Sequence, residues 1–187
     1  MKKRYWFILI ISLMTLILVG CNKNNYNGFE YNGPIKITVN MLLKSPAFLD
    51  DEKIPVKYSC DGINVNPKLQ IFRVPDGAES LALIVDDVDA VAKEWVHWLV
   101  WNINPTTRKI EENSLPLGAL EGVNDFNVVG WSGPCPPEKQ HKYNFKLYAL
   151  DTMLNLDEFS RKDDLMLAME DHVIQQTVLS GYYEKEQ

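Results

Sequence analysis

Asp87, His97 and His141 are three side chains of types that bind anions or metal ions, and they lie in or next to strand-like segments. Imidazole groups can donate hydrogen bonds to an anion or coordinate a metal ion, and a carboxylate can orient an imidazole ring. Two histidines and one carboxylate also match the ligand set of a non-haem iron enzyme. Their spacing is not specific for a metal, so both interpretations depend on where the fold places the three residues.

Two of these residues belong to strand-like segments that follow each other. The segment 80–87, SLALIVDD, alternates between two faces and ends with Asp87. The segment 95–103, WVHWLVWNI, is apolar on both faces, which is typical of a central strand, and alternation places His97 on the face of Leu99. Because sequential strands usually pair, we expect Asp87 and His97 to meet at one end of a sheet.

The third residue opens another strand. The segment 141–150, HKYNFKLYAL, alternates clearly and directs His141 and Tyr143 inward. The preceding stretch 130–137, GWSGPCPP, contains three prolines that restrict its conformations. It predicts a stiff loop that forms a wall beside His141.

The same loop contains a serine in a sequence similar to a nucleophile elbow. A serine hydrolase needs the pattern G-x-S-x-G, and here Pro134 occupies the position of the final glycine after Ser132. The pattern is therefore broken, and serine hydrolase activity is not the expected function.

Most of the remaining apolar residues recur with period two, beginning with a strand pattern over 35–41. The end of the chain differs, because Leu165, Met169, His172, Val173 and Gln176 recur at intervals of three and four. This predicts a single C-terminal helix that stops at Gly181. The predicted fold is therefore mainly β, with two packed antiparallel sheets and a C-terminal helix.

The first twenty residues have the composition of an export signal, with Lys2, Lys3 and Arg4 before the uncharged apolar run 5–20. The run ends LVGC, which resembles the lipobox of bacterial lipoproteins and implies acylation of Cys21. An uncleaved single-span anchor is the alternative.

We therefore predict a signal peptide over 1–20, the acylated cysteine and a flexible Asn- and Gly-rich tether over 21–33, and one domain over 34–187. The predicted location is the bacterial cell envelope, to which the exported protein would be attached by its lipid.

Charge excludes one class of partner. Removal of residues 1–20 leaves 16 basic against 25 acidic side chains, a net charge of −9, which disfavours nucleic acid. Cys60 and Cys135 then remain as an even pair. In an oxidising compartment they could form a disulfide, but two buried free thiols are the alternative.

Four segments together resemble the phosphatidylethanolamine-binding protein family, also called Raf kinase inhibitor-like, in its bacterial branch. They are YSCDGINVNP (58–67), DDVDA (86–90), EWVHWLVWNI (94–103) and GPCPPEKQHKYNFKLYALD (133–151). The resemblance extends in order from about residue 44 to residue 183, and the two-sheet β fold of the family agrees with the fold predicted above.

The resemblance implies a small pocket for phosphate or phosphorylated head groups. Carried over by position, its residues are Asp87, Trp95, His97, His141 and Tyr143, with Gly133 and Pro134 at the rim. Asp87 would orient a histidine or pair with the ammonium group of ethanolamine. Where the family commonly has proline, this chain has Val88 and Val91, which affects the shape of the loop there.

We therefore expect a lipid-anchored, non-catalytic binding protein that needs no cofactor and could inhibit or regulate a protein target that the sequence does not name. The alternatives are a metal-dependent enzyme using Asp87, His97 and His141, and a protein-interaction module without a small ligand. Anion affinity should rise as pH falls through the ordinary imidazole range, about 6.5, because protonated histidines add donors and positive charge.

Overall fold

The computed structural model describes residues 39–185. The predictions for residues 1–33, namely the export signal, the acylated Cys21 and the tether, lie outside this range, as does the predicted start of the domain at Pro34. Within residues 39–185 there is no helix with the length and apolar character needed to cross a membrane.

Nine strands and one α-helix form in the described part of the chain. In chain order they are β1 (Leu42–Lys44), β2 (Glu52–Lys53), β3 (Leu69–Phe72), β4 (Ser80–Asp87), β5 (Trp95–Ile103), β6 (Lys109–Ile110), β7 (Leu120–Glu121), β8 (His141–Leu150), α1 (Lys162–Met169) and β9 (Val173–Tyr183). A short 3-10 turn, Val56–Tyr58, follows β2. The strands predicted over 80–87, 95–103 and 141–150 are thus confirmed.

The strands form two sheets. One has three strands in the order β1-β3-β6, and the other has six in the order β2-β9-β8-β4-β5-β7. All pairs are antiparallel except β2 with β9, which are parallel over two residue pairs. The predicted fold class, mainly β with two sheets and one helix, is confirmed.

The six-stranded sheet is covered on both faces. On one face, alternate residues of β4 such as Leu83 pack with Leu43 and Ile71 of the small sheet. On the other face, Ile84 packs with Leu165 of α1. Burial of each such side chain contributes about 2 kcal/mol to the stability of the fold. Because the side chains of β4 alternate between its two faces, the strand packs against the small sheet on one face and against α1 on the other.

The predicted C-terminal helix is much shorter than expected. α1 ends at Met169, and the chain turns at Asp171, which has a left-handed φ of 63°. Residues 173–183 then form β9, which pairs with β8 from Leu150 to His141. The helical spacing after Met169 was misleading, because β-branched residues that complete a sheet outweigh a weak local period.

Gly181 is also not a helix stop. It lies within β9, where a Cβ atom would come within 2.6 Å of Ile54 Cγ1 and 2.9 Å of Phe48 Cε2. Glycine inside a strand often marks such a close approach. The absence of a side chain at Gly181 lets Phe48, before β2, and Ile54, after β2, pack against the sheet.

The first strand also differs from its prediction. Residues 35–38 lie outside the described range, and β1 begins only at Leu42, after the segment 39–41 that the alternation included. Only three residues of this region pair with β3.

Candidate functional site

A β-bulge in β5 sets the direction of His97. Val85 of β4 pairs with Trp98, whereas the next residue, Asp86, pairs with Val96, so His97 has no opposite residue. An extra residue of this kind shifts the alternation of a strand. His97, whose ring contacts Tyr143, consequently lies on the same side as Trp98, while Leu99 packs on the other. The predicted common face of His97 and Leu99 is wrong for this reason.

Asp87 lies between the two histidine-bearing strands. It pairs with Trp95 of β5 on one side and with Tyr143 of β8 on the other. β4 and β5 are neighbours, as predicted, and β8 lies on the other side of β4. The ends of three adjacent strands therefore bring the chemically active residues together.

The Asp87 carboxylate holds His141. His141 Nδ1 is 2.7 Å from Asp87 Oδ2, and Asp87 Oδ1 accepts a hydrogen bond of 2.9 Å from the Asp89 backbone N–H. Since a carboxylate beside an imidazole accepts the ring hydrogen, Nδ1 of His141 carries that hydrogen. The contact with His141 supports the orienting role of Asp87, while each carboxylate oxygen keeps a second lone pair that could accept from an ammonium group.

His97 is held by backbone rather than by a carboxylate. Its Nδ1 is 2.6 Å from the Ser132 carbonyl oxygen, and only 2% of the residue is exposed. Burial lowers the pKa of His97, although the Ser132 carbonyl and the negative charges of Asp87 and Asp86 oppose this shift. The ring is therefore biased towards its neutral form.

Two buried donors at the site have no partner. The Tyr143 hydroxyl and Trp95 Nε1 make no hydrogen bond of normal geometry with any residue between 39 and 185, although the Asp87 carboxylate and the Cys135 backbone lie close enough to the hydroxyl to affect its pKa. Burial, and then the negative charge of Asp87, raise the pKa of Tyr143, so its hydroxyl keeps its hydrogen. Buried donors are almost always paired in native proteins, so each of these N–H or O–H groups could serve a bound molecule.

Phe126 was missed by the sequence analysis. Its ring makes edge contacts with Trp95 at 5.6 Å and with His97 at 5.2 Å between centroids, and His97 in turn contacts Tyr143 at 5.2 Å. Phe126 belongs to a loop without periodicity, so no pattern pointed to it. These four rings form a continuous aromatic wall.

The buried side chain of Asn124 organises this loop and the next one. Its Oδ1 accepts from the Phe126 N–H at 2.9 Å, and its Nδ2 donates to the Gly130 carbonyl and the Ser132 hydroxyl, both at 2.9 Å. A fully buried asparagine with its amide satisfied in this way fixes the loop geometry. The only signal in the sequence was the turn-forming composition of 124–127.

The rim residues Gly133 and Pro134 are clamped by the segment 58–64. The Gly133 N–H donates to Asn64 Oδ1 at 2.7 Å, and the Cys60 N–H donates to the Pro134 carbonyl at 3.1 Å. A Cβ at Gly133 would lie 2.1 Å from the Tyr58 carbonyl oxygen, so only glycine fits. Cys60 and Cys135 form a disulfide across the same contact. The proline-rich loop beside the site is thus covalently linked to the segment 58–64.

The loop after β4 carries Val88 and Val91. The Val88 N–H donates to the Lys142 carbonyl at 3.1 Å, and Asp89 Oδ2 accepts from the Lys142 N–H at 2.8 Å. Proline at position 88 could not make the first of these bonds. Val91 is 99% exposed. Val88 thus extends the backbone pairing beyond the end of β4.

The structure shows how the residues of the two enzyme alternatives are placed. The Ser132 hydroxyl accepts from Asn124, and His97 contacts the Ser132 carbonyl rather than its hydroxyl. Within residues 39–185 no three His, Cys, Asp or Glu side chains are grouped so that they could hold a metal ion.

A separate charged cluster lies behind the site. Asp86, which is fully buried and points away from Asp87, accepts from Lys146 Nζ and Lys162 Nζ, both at 2.9 Å from its Oδ2. Burial raises the pKa of Asp86, although both lysines oppose this. A hydrogen bond from Lys162 lowers the pKa of Glu94 to about 2. This cluster joins α1 to the sheet.

Comparison with known proteins agrees with this architecture. The family model described as phosphatidylethanolamine-binding protein matches residues 44–184. A UPF0098 protein of Methanothermobacter thermautotrophicus is 47% identical over 150 residues, covering 78% of this chain and 99% of that protein. A UPF0098 protein of Pyrococcus horikoshii is 40% identical over 183 residues, covering 94% and 88%.

Two solved structures share the fold. The crystal structure of a Chlamydia trachomatis protein, described as a homologue of phosphatidylethanolamine-binding protein, has a TM-score of 0.76 and 39% identity and covers 79% of this chain and 99% of that one. Escherichia coli YbcL, described as a member of the mammalian family, has a TM-score of 0.75 and 30% identity and covers 79% and 100%. The chain therefore belongs to the phosphatidylethanolamine-binding protein family.

Proposed function

We propose that this chain is a membrane-anchored, non-catalytic binding protein whose site takes phosphate or a phosphorylated head group. The observation that carries the proposal is the Tyr143 hydroxyl. It is fully buried beside His97, and it makes no hydrogen bond of normal geometry in the described range, although Asp87 lies nearby. An oxygen of a bound anion would supply the missing acceptor.

Neighbouring groups support an anion. Trp95 Nε1 is a second unpaired donor. Because the indole N–H is uncharged, it could bind an anion without burying a positive charge. His141 is oriented by Asp87, which leaves its Nε2 without a partner among the described residues. The family takes its name from phosphatidylethanolamine, whose head group contains a phosphate.

The non-catalytic part of the proposal rests on how the reactive groups are engaged. Both Asp87 oxygens accept hydrogen bonds, and the Ser132 hydroxyl is held by Asn124. A protein that binds without turnover acts through occupancy, so we assign the chain a role as an inhibitor or regulator of a protein target.

The anchor rests on the basic residues 2–4, the apolar run 5–20 and Cys21. Mass spectrometry of the protein from bacterial membranes should find residues 1–20 removed and Cys21 acylated. An intact Met1 or an unmodified Cys21 would contradict the anchor while leaving the binding site untouched.

Isothermal titration calorimetry tests the binding site. The intact chain in a non-ionic detergent should bind inorganic phosphate or phosphoethanolamine saturably, and His141→Gln should weaken binding at least about tenfold by removing an oriented imidazole. The control is His172→Gln, because His172 is an exposed histidine paired with Asp151 at 2.8 Å. Absence of saturable heat with both anions would reject the site.

A further inference from the structure

The Ser132 carbonyl decides which nitrogen of His97 carries hydrogen. His97 Nδ1 lies 2.6 Å from that oxygen. A carbonyl oxygen only accepts, so Nδ1 is the donor. In the neutral ring the other nitrogen, Nε2, then has a lone pair and can only accept. Nε2 makes no hydrogen bond with the described residues.

This arrangement does not depend on a ligand. The Ser132 N–H donates to the His97 carbonyl at 3.0 Å, so the two residues hold each other in both directions. The Asn124 amide fixes the Ser132 hydroxyl at 2.9 Å. The carbonyl that selects the His97 tautomer is therefore built into the loop.

The surroundings of His97 keep it neutral. The negative charge that lies beside it is Asp87 of β4, and Asp86, which points to the other face of the sheet, adds a weaker effect; both favour the protonated ring. Tyr143 of β8 and Phe126 contribute uncharged rings. With 2% of the residue exposed, burial outweighs the carboxylates and lowers the pKa of His97.

We propose that the site selects an anion that carries a hydrogen of its own, so that it binds hydrogen phosphate and rejects sulfate. This rests on the anion-binding function proposed above. The Tyr143 hydroxyl and Trp95 Nε1 donate to unprotonated oxygens of the ligand, and His97 Nε2 accepts from its O–H group. Sulfate has the same tetrahedral shape but no hydrogen near neutral pH, so it places an oxygen lone pair against that of Nε2.

Competition calorimetry with inorganic phosphate and sodium sulfate tests this on the intact chain in detergent. Near pH 8 inorganic phosphate still carries one hydrogen, and we expect it to bind at least about tenfold more tightly than sulfate, since bound sulfate would leave Nε2 facing an oxygen lone pair instead of a donor. Sulfate affinity should increase once the pH is low enough to protonate His97, which lies below the ordinary imidazole range, because the protonated ring offers a donor at Nε2.

The variant His97→Gln tests whether the His97 tautomer causes the selectivity. Its terminal amide can present either an N–H or a carbonyl group, so the ratio of phosphate to sulfate affinity should fall to within about threefold. His172→Gln should keep the wild-type ratio. Should His97→Gln not fold, long-range proton–nitrogen NMR spectra of the wild-type histidines decide the tautomer directly, with His97 expected as the Nδ1–H form.

The outcomes separate the two proposals. Equal binding of phosphate and sulfate near pH 8, or an Nε2–H tautomer of His97, overturns the selection while leaving anion binding in place. If neither anion binds, the proposed function itself is wrong.

Discussion

Asp87 Oδ2 and His141 Nδ1 are 2.7 Å apart across the neighbouring strands β4 and β8, although the residues are 54 positions apart in the chain. The contact follows from strand register, because Asp87 lies opposite Tyr143, two residues beyond His141. Both side chains are mostly buried, with 12% of the His141 side chain and 6% of the Asp87 side chain exposed. This pair is the structural centre of the site, and its removal should affect ligand binding before stability.

Asp87→Asn should weaken phosphate binding about 10- to 100-fold. The amide is nearly the same size but cannot reproduce the charge-assisted bond that orients His141. Calorimetry measures the affinity, and a double-mutant cycle with His141→Gln should be strongly non-additive because the two residues act as a unit. Independent, additive losses would show that the pair does not act together.

Asp86→Asn should lower stability without changing phosphate affinity, in contrast to Asp87→Asn. It leaves Lys146 and Lys162 without their buried carboxylate, which should destabilise the fold by about 3 kcal/mol. Phosphate affinity should stay unchanged, since Asp86 faces away from the site. Urea unfolding together with calorimetry checks both values, and a loss of affinity in folded Asp86→Asn would contradict the separation of the two faces.

Tyr143→Phe should stabilise the unliganded protein slightly, or leave it unchanged, because it removes a buried hydroxyl that makes no hydrogen bond of normal geometry. Phosphate affinity should fall about tenfold. The matched control is Tyr58→Phe, since the Tyr58 hydroxyl donates to Glu112 Oε2 at 2.9 Å. That variant should lose about 1 kcal/mol of stability and keep its affinity. The reverse pattern would assign the Tyr143 hydroxyl a structural role.

Stability should depend on pH through His97. Burial lowers the pKa of His97 in the folded state, so below the ordinary value of about 6.5 the unfolded chain binds a proton that the folded chain does not. The free energy of unfolding should therefore fall as pH falls below about 6.5, by up to about 1.4 kcal/mol per pH unit.

Urea unfolding across this pH range measures the slope. His97→Gln should remove the part that belongs to His97, and His172→Gln should retain it. An identical slope in wild type and His97→Gln would show that His97 does not resist protonation. The same lowering of the pKa moves the contribution of His97 to anion affinity below the pH that an ordinary imidazole would predict.

Loss of the disulfide should destabilise the domain. The Cys60–Cys135 bond closes a loop with a sequence separation of 75 residues, and its removal in Cys60→Ser/Cys135→Ser should lower stability by about 2–4 kcal/mol. Wild type treated with a reductant should unfold at the same urea concentration as this variant. A midpoint that does not respond to reductant would mean that the bond does not constrain the unfolded chain.

The chemically active strands could be predicted because their signal is local. Alternation over 80–87 and 141–150 needs only the preference of neighbouring side chains for opposite faces, and it correctly predicts the inward direction of Tyr143. The site residues Phe126 and Asn124 could not be predicted, because they lie in an irregular loop and act only through contacts with distant residues.

The C-terminal segment shows the limit of local periodicity. Spacings of three and four around Leu165 and Met169 do form a helix, but the same spacing continues into β9. β9 is a strand because β8 offers it a complete row of backbone partners. The local sequence of residues 173–183 does not show that β8 will be available for pairing.

The sequence by itself determined the mainly β fold, the three strands that carry Asp87, His97 and His141, and the resemblance that identifies the family. Only the tertiary structure decided that a bulge turns His97 towards Tyr143, that Asp87 holds His141, and that the Ser132 carbonyl sets the tautomer of His97. The physical reason is that periodicity is a property of neighbouring residues. Register, bulges and hydrogen-bond direction depend instead on which distant segments pair when the chain folds.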